Sequence, residues 1–370
     1  MRGKPKLIHD GYIYTFHQTR TNGNVAWRCD LNNKASRARG ISCNATAVTT
    51  GIPQSLLQPW VYFDSGPGND RILILTTNSN LDLMRQSGRW GGDGTFKAAP
   101  KLWTQLYTIH GQKNGFTIPC VFALLPNKRK ESYTRLFQQI KTWLEVGGQQ
   151  WDFDSFLSDY EQGAYLAMTD VFPGVGNDGC FFHLSKRLDV HVKQVGLMVK
   201  YTEDLEFRIR VKKLAALAFL PVADVVPSFE SLATTFLNDE LPLLSYFETT
   251  WIGQPVGGRR LPPTFPLHMY WNVLDRSSTG STRTTNSLEA FHQGFNSLVY
   301  CQHPTIWKLL PALGKQQNLS DNTIQRTYRG DTFRPSTKEA KRNTRITTLL
   351  GNYTRATADS FLRGIAYNYM

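Results

Sequence analysis

The sequence predicts an α/β fold preceded by a small β-rich module. Three strand-like stretches followed by a helix, a strand and a helix occupy 89–171, an order that is typical of layered α/β folds. Short strand-like stretches rich in Tyr and Ile alternate with turns over 6–50. A helical, acid-rich stretch over 203–250 then separates the α/β part from an apolar helix at 288–300.

The composition agrees with a folded chain and excludes several classes of protein. The 370 residues are 41% apolar and 12% aromatic, which is enough to build cores. No apolar run approaches the roughly 18 residues of a membrane-spanning helix, and the basic N-terminus lacks the apolar core of a signal peptide. The five scattered Cys do not resemble a disulfide framework. We therefore expect a reducing, intracellular setting and no membrane partner.

Positive charge is concentrated at the two ends of the sequence. The chain has 42 Lys and Arg against 29 Asp and Glu, a net charge of +13. Residues 1–50 hold eight basic and two acidic side chains, and residues 321–370 hold nine and four, so these ends carry +6 and +5. Basic ends around a nearly neutral middle predict contact with a polyanion, most often nucleic acid. The alternative is that the charge serves solubility alone.

The N-terminal elements are predicted as three short strands. They lie at 8–16, 25–29 and 41–49, and Asn22-Gly23 marks a hairpin turn between the first two. The Pro- and Gly-rich stretch 51–70 follows and indicates a domain boundary, with a β-rich module at 1–60.

The α/β part begins at residue 71. Its strands are predicted at 71–75, 89–97, 102–109, 116–125 and 151–157. Its helices are predicted at 78–88, 131–146 and 164–171. This order is the opening of an RNase H-like layer, among other α/β folds. The predicted mixed sheet is flanked by these helices, and the first part of the core covers 71–200.

The second half of the chain is predicted to be mostly helical. Residues 201–265 are predicted as a helical segment that ends in a Pro- and Gly-rich stretch. Residues 266–310 close the core with the apolar helix at 288–300, and 311–370 are predicted as a basic C-terminal tail.

Asp93 and Asp159 are the first two candidates for chemistry. Asp93 lies between glycines on a predicted strand, where glycine allows a backbone or a phosphate to approach closely; the alternative is a turn Asp. Asp159 follows the strand 151–157 and precedes a helix, and ligands gather beyond the carboxyl ends of such strands. The competing acids near Asp159 are Asp152, Asp154 and Glu161.

Glu289 is the third candidate acid. It lies at a helix start three residues after Asn286, so it either caps its own helix or binds a ligand. Three carboxylates could hold two divalent ions about 4 Å apart that act on a phosphodiester, and oxygen ligands suit Mg²⁺ or Mn²⁺. The spacing alone does not show that the three converge.

Cys180 and His183 form a Cys-x₂-His pair with the spacing of metal ligands. Two ligands do not make a zinc site. The alternative is a buried thiol and a hydrogen-bonded His at the junction of a strand and a helix.

Five sequence blocks stand out, in order, over about 71–310. They are Asp93-Gly-Thr-Phe-Lys97 with Gln105-Leu-Tyr-Thr-Ile-His110, Ala123-Leu-Leu-Pro-Asn-Lys128 with Glu131-Ser-Tyr-Thr-Arg-Leu-Phe137, Ser158-Asp-Tyr-Glu-Gln-Gly-Ala164, Gly179-Cys-Phe-Phe-His-Leu184, and Arg283-Thr-Thr-Asn-Ser-Leu-Glu-Ala-Phe-His292. In this order the blocks resemble the MULE (Mutator-like element) transposase domain.

The resemblance implies a DDE transposase on an RNase H-like fold with a helical insertion. Asp93, Asp159 and Glu289 would be the catalytic acids and the ligands of two Mg²⁺ or Mn²⁺ ions, and Cys180 and His183 a structural signature. Water would first cut strands at the element ends, and the freed 3′-hydroxyl would then attack target DNA. The implied partners are double-stranded DNA and further copies of the chain, as a homodimer or higher assembly, in the nucleus.

The N-terminal module resembles a FLYWCH-type zinc finger. The matching segments are Gly11-Tyr-Ile-Tyr-Thr-Phe16, Trp27-Arg-Cys29 and Cys43-Asn-Ala45. The family supplies two Cys and a His-x-His pair, but here no His follows Cys43 before His110. Cys29 and Cys43 are therefore interpreted as the remnant of a zinc site that has lost or weakened its metal; the alternative is that His9 or His17 serves as a substitute ligand.

Contacts with the DNA backbone are expected from arginines and one lysine. These are Arg28, Arg37, Arg39, Lys97, Arg259, Arg260 and Arg283. Two other readings stay open at this point: a domesticated, non-cleaving DNA-binding or regulatory protein, and an RNase H-like nuclease without strand transfer.

Overall fold

The computed structural model describes residues 6–9, 12–19, 25–29, 46–49, 60–265, 268–279 and 283–370. The chain divides into two compact units, and each unit combines two separate stretches of sequence. Unit 1 comprises Met1–Phe153 and Leu288–Thr332, and unit 2 comprises Asp154–Ser287 and Phe333–Met370. The architecture is mixed α/β.

The elements have the following bounds. The strands are β1 (Lys6–His9), β2 (Tyr12–Thr19), β3 (Val25–Cys29), β4 (Thr46–Thr49), β5 (Trp60–Asp64), β6 (Leu73–Thr77), β7 (Arg89–Thr95), β8 (Gln105–Lys113), β9 (Phe116–Leu125), β10 (Ser155–Ser158), β11 (Gly176–Gly179), β12 (Pro255–Val256) and β13 (Arg259–Arg260). The α-helices are α1 (Asn78–Arg85), α2 (Lys130–Leu144), α3 (Gln162–Val171), α4 (Phe181–Gln194), α5 (Met198–Glu203), α6 (Leu205–Ala216), α7 (Val222–Ala233), α8 (Leu241–Phe247), α9 (His268–Trp271), α10 (Leu274–Ser278), α11 (Asn286–Val299), α12 (Ile306–Tyr328), α13 (Thr337–Gly351) and α14 (Ala358–Tyr367).

The N-terminal strands form an antiparallel sheet in the order β1-β2-β3-β4. Strand β3 has the bounds predicted for 25–29, and β4 covers the end of the strand predicted at 41–49. Cys43, Arg37 and Arg39 lie outside the described residues.

Unit 1 is built on an antiparallel sheet in the order β7-β8-β9-β6-β5. Strands β8 and β9 are joined by a two-residue turn at Asn114 and Gly115, whose φ angles of 51° and 80° are the positive values that a type I′ hairpin requires. Helices α11 and α12 pack their apolar residues on the β6–β9 part of this sheet around Phe122, Phe295 and Leu313.

Two buried amides fix α12 in unit 1. Asn80 on α1 and Gln317 on α12 are both 0% exposed and exchange a reciprocal pair of side-chain hydrogen bonds, each 2.9 Å long. The Asn80 amide also donates to the Cys120 carbonyl of β9 at 2.8 Å. Buried amides must be paired to be tolerated, so this network specifies one position of α12 on α1 and β9.

Unit 2 combines the parallel pair β10–β11 with a helical core rich in aromatic residues. Trp251, Trp271 and Phe207 are fully buried there. Residues 311–370, expected as a basic tail, instead contain most of α12 together with α13 and α14. Helix α14 buries Phe361 and Ile365 in the core of unit 2. Apolar residues at helical spacing explain why this segment folds.

Candidate active site

Asp93 lies on β7 as the sequence predicted, and it is buried. Asp93 is 8% exposed, and its Oδ1 accepts a hydrogen bond from the Gly94 backbone N–H at 2.8 Å. A β-carbon at Gly94 would overlap the side chain of Gln105, which is buried on β8 and donates to the Tyr133 hydroxyl at 2.7 Å. Glycine at position 94 therefore allows β7 to pack closely on the Gln105 side chain of β8.

A histidine from α11 reaches this aspartate. His292 Nε2 lies 3.5 Å from Asp93 Oδ2 and 3.4 Å from the Thr108 hydroxyl of β8. The same hydroxyl lies 3.0 Å from His110 Nε2. Asp93, His292, Thr108 and His110 thus form a buried polar cluster in unit 1, which we call the Asp93 cluster.

Hydrogen-bond directions in the Asp93 cluster determine the histidine tautomers. Thr108 donates its single hydroxyl proton to the Asp93 carbonyl at 3.3 Å, so it accepts from both imidazoles. Each imidazole must then carry its proton on Nε2. Within the described residues, Nδ1 of His110 and of His292 are buried without a hydrogen-bond partner.

Burial keeps both imidazoles neutral. It lowers the pKa of His292 to about 4, against a smaller opposing effect of the Asp93 backbone. It lowers the pKa of His110 well below the usual value, and the neighbouring His292 adds to this. The cluster therefore holds Asp93 through neutral hydrogen-bond donors.

Glu289 lies on the same helix as His292. The two residues are three positions apart on α11 and so share one helix face. Glu289 is half-buried in the first turn of α11. The contact of His292 with Asp93 therefore brings the first turns of α11 to β7. Sequence reasoning missed His292; the signal that could have found it is its spacing of three from Glu289.

Asp159 lies in unit 2, in the turn between β10 and α3. Its carbonyl accepts hydrogen bonds from the Glu161 N–H at 2.9 Å, the Tyr270 hydroxyl at 3.1 Å and the Ser158 hydroxyl at 3.1 Å. These bonds fix the backbone of the turn. Asp159 and Cys180 directly follow the parallel neighbours β10 and β11, at the edge where ligands of α/β sheets gather.

Cys180 and His183 hold a neighbouring segment of unit 2. The Cys180 thiol accepts from both the backbone N–H and the hydroxyl of Thr285 at 3.2 Å, and the same hydroxyl lies 3.5 Å from His183 Nδ1. Burial raises the pKa of the Cys180 thiol. Burial, with Lys186 and Arg187 nearby, lowers the pKa of His183 to about 4. A protonated thiol and a neutral His are hydrogen-bonding groups here, and together they fix the chain just before α11.

The predicted DNA-contacting residues differ in their surroundings. Lys97 and Arg259 are exposed. Arg260 forms ion pairs with Glu230 at 2.6 Å and with Glu248 at 2.9 Å. Arg283 donates to the Asn343 side chain, and burial lowers its pKa. For Arg28 the structure places the backbone on β3.

A metal site was tested on the same geometry. Carboxylate oxygens are the donors that Mg²⁺ and Mn²⁺ prefer. Across 60–265, 268–279 and 283–370, however, no three His, Cys, Asp or Glu side chains lie close enough together to share a metal ion. Neither unit by itself therefore gathers a metal centre from its described residues.

Comparison with known proteins identifies two regions of the chain. Residues 1–57 match the FLYWCH zinc finger domain, and residues 90–187 match the MULE transposase domain. Neither the curated proteins nor the solved structures contain a match to the chain. Within the described part of the chain, the helices are too short or too polar to cross a membrane. Asp93, Asp159, Cys180 and His183 all lie within the segment that matches the MULE transposase domain, and this segment follows the one that matches the FLYWCH zinc finger domain.

Proposed function

We propose that this protein is a Mutator-like DDE transposase, which cleaves and joins DNA strands at transposon ends. The observation that carries the proposal is the Asp93 cluster, in which a buried carboxylate of the matched MULE domain contacts the helix of Glu289 at 3.5 Å through His292. Burying a carboxylate is costly for folding, so the burial of Asp93 favours a role in chemistry.

In this proposal Asp93, Asp159 and Glu289 are the catalytic acids on an RNase H-like core. Mg²⁺ or Mn²⁺ are the expected ions, and the zinc site of the finger, with Cys29 and Cys43, is expected to be incomplete. Cys180 and His183 are positioning residues, because they bind Thr285 rather than face a substrate. A nuclear location and a homodimer or higher assembly on double-stranded DNA belong to the same proposal.

The test is strand cleavage by the full-length chain. Supercoiled plasmid is incubated with the protein in Mn²⁺, and nicked and joined products are separated on a gel. Asp159→Asn should abolish nicking, whereas the matched control Asp152→Asn, at an exposed acid seven residues earlier, should leave it unchanged. Equal nicking by wild type and Asp159→Asn would contradict the proposal. Nicking without joined products would indicate a nuclease.

A second candidate function is a domesticated, non-cleaving DNA-binding protein. The observation that favours it is that the Asp93 carboxylate already accepts the Gly94 N–H and faces His292. This candidate predicts salt-dependent DNA binding that Asp159→Asn does not change, with no nicking by the wild type.

A further inference from the structure

We infer that α13 is a DNA-binding helix that contacts the phosphate backbone through Lys338, Lys341 and Arg345, which we call the α13 stripe. The inference rests on the proposed function, because it names a surface for the DNA that a transposase must hold. It is carried by the placement of these three side chains, by the way α13 is anchored, and by the surrounding ion pairs.

The stripe lies along one side of the helix. Its members are spaced by three and four positions, so they follow one another on the same face. All three are exposed. At 1.5 Å per residue they extend over about 10 Å of helix axis, a length that reaches several phosphates of one strand.

The opposite side of α13 is anchored to unit 2. Ile346 is fully buried in the core, and the Asn343 side chain accepts from Arg283. The guanidinium of Arg342 lies 5.4 Å from the centre of the Tyr369 ring. The helix is therefore held in place, and binding DNA would not have to order it. Arg283 acts here as an anchor of α13.

The cations of the stripe do not form ion pairs with the described residues of the chain. Within the described residues, no ion pair involves Lys338, Lys341 or Arg345. Other basic residues of unit 2 are paired: Lys213 with Asp359, and Arg363 with Glu206 at 2.6 Å. Glu339, the acid on α13, lies 4.0 Å from Arg342 instead. The three charges therefore face solvent without local compensation.

The residues beside the stripe favour DNA over a membrane surface. Thr337 beside the stripe is exposed, and a hydroxyl of this kind donates to phosphate oxygens. A helix that inserts into a membrane needs an exposed apolar face. The apolar residue Ile346 faces the protein core, and Leu349 and Leu350 pack against that core as well.

The experiment measures DNA affinity against salt. The wild-type chain, the triple variant Lys338→Gln/Lys341→Gln/Arg345→Gln and a control are titrated into a fluorescent 30-base-pair duplex by anisotropy. The control, Lys193→Gln/Lys308→Gln/Lys315→Gln, removes the same charge from exposed sites and includes two lysines spaced by seven on α12. Circular dichroism during heating verifies that the variants are folded.

We expect the triple variant to bind more weakly and to lower the slope of log affinity against log salt by about 2.7, or roughly 0.9 per phosphate contact. The control should keep more of the wild-type slope than the triple variant does. An equal loss of DNA affinity and of salt slope in the triple variant and the control would overturn the inference that the α13 stripe binds DNA. It would leave DNA binding by the chain, and the proposed function, intact. A wild-type chain that binds no DNA in 50 mM salt would overturn both.

Discussion

At the scale of single residues, His292 connects two of the proposed acids. Its ring contacts Asp93 at 3.5 Å, and its helix carries Glu289 one turn earlier. Because burial keeps this imidazole neutral, it contacts the Asp93 side chain without adding charge.

Removing this imidazole should weaken the fold and the chemistry together. In His292→Ala, Thr108 and Asp93 lose a buried partner, so we expect a loss of about 1–3 kcal/mol in the free energy of unfolding and the loss of plasmid nicking. Urea unfolding followed by circular dichroism measures the first effect. His191→Ala, at a partly exposed histidine of α4, is the control. Equal effects of the two substitutions would contradict the role of His292.

The buried histidines also predict how stability depends on pH. His183 has a pKa of about 4 in the folded chain, and His110 is shifted in the same direction. An unfolded chain, with histidine pKa values near 6.5, binds more protons below about pH 6.5. Stability is therefore complete above that pH and falls as the pH decreases towards 4.

The measurement is the urea midpoint at pH 7.5 and at pH 5.0. We expect a lower midpoint at pH 5.0, and a smaller difference in His183→Gln because Gln does not titrate. A midpoint that is unchanged between the two pH values would contradict the assigned burial of these imidazoles.

At the scale of elements, the amide pair of Asn80 and Gln317 predicts coupling between α1 and α12. Asn80→Ala or Gln317→Ala alone should cost about 1–3 kcal/mol, because each leaves a buried amide without its partner. The double variant should lose less than the sum of the two, by about 0.5–3 kcal/mol. A complete double-mutant cycle by urea unfolding measures this coupling free energy between the two amides. Strict additivity would show that the amides do not interact.

Many elements could be predicted from local patterns. Strand β9 has the predicted bounds because Asn114-Gly115 ends the preceding strand and a continuous apolar run follows. The strand predicted at 151–157 was wrong at its start, since β10 begins at Ser155. Phe153, one of the apolar residues that suggested a longer strand, instead stacks on Trp90 with ring centres 3.7 Å apart.

Other elements depend on partners that are distant in sequence. Strand β5 lies inside the stretch 51–70 that was expected as a loop, and it exists as a strand because it pairs with β6. Helix α13 has one fully buried residue, Ile346, so its own pattern looked like a polar tail. The position of Asp93 on a strand was predicted from the sequence, whereas its contact with His292 depends on the packing of segments about 200 residues apart.

At the scale of the whole molecule, each unit is completed by a later stretch of the chain. Leu288–Thr332 returns to unit 1, and Phe333–Met370 completes unit 2. Sequence periodicity does not reveal such returns, because it reports the faces of elements and not their partners. The positive charge at the C-terminal end of the sequence is also explained at this scale, because this end contains α13 and its exposed cations.

The central claim is that Asp93, Asp159 and Glu289 act together on DNA. Glu289→Gln tests it most directly, because Gln keeps the size of the side chain and one acceptor oxygen in the first turn of α11 and removes the negative charge. The measurement is the rate of Mn²⁺-dependent plasmid nicking, with the thermal unfolding midpoint recorded in parallel. We predict an unfolding midpoint close to that of the wild type and nicking as low as in Asp159→Asn. Wild-type nicking by Glu289→Gln would contradict the claim, since it would leave Glu289 with a role in its helix alone.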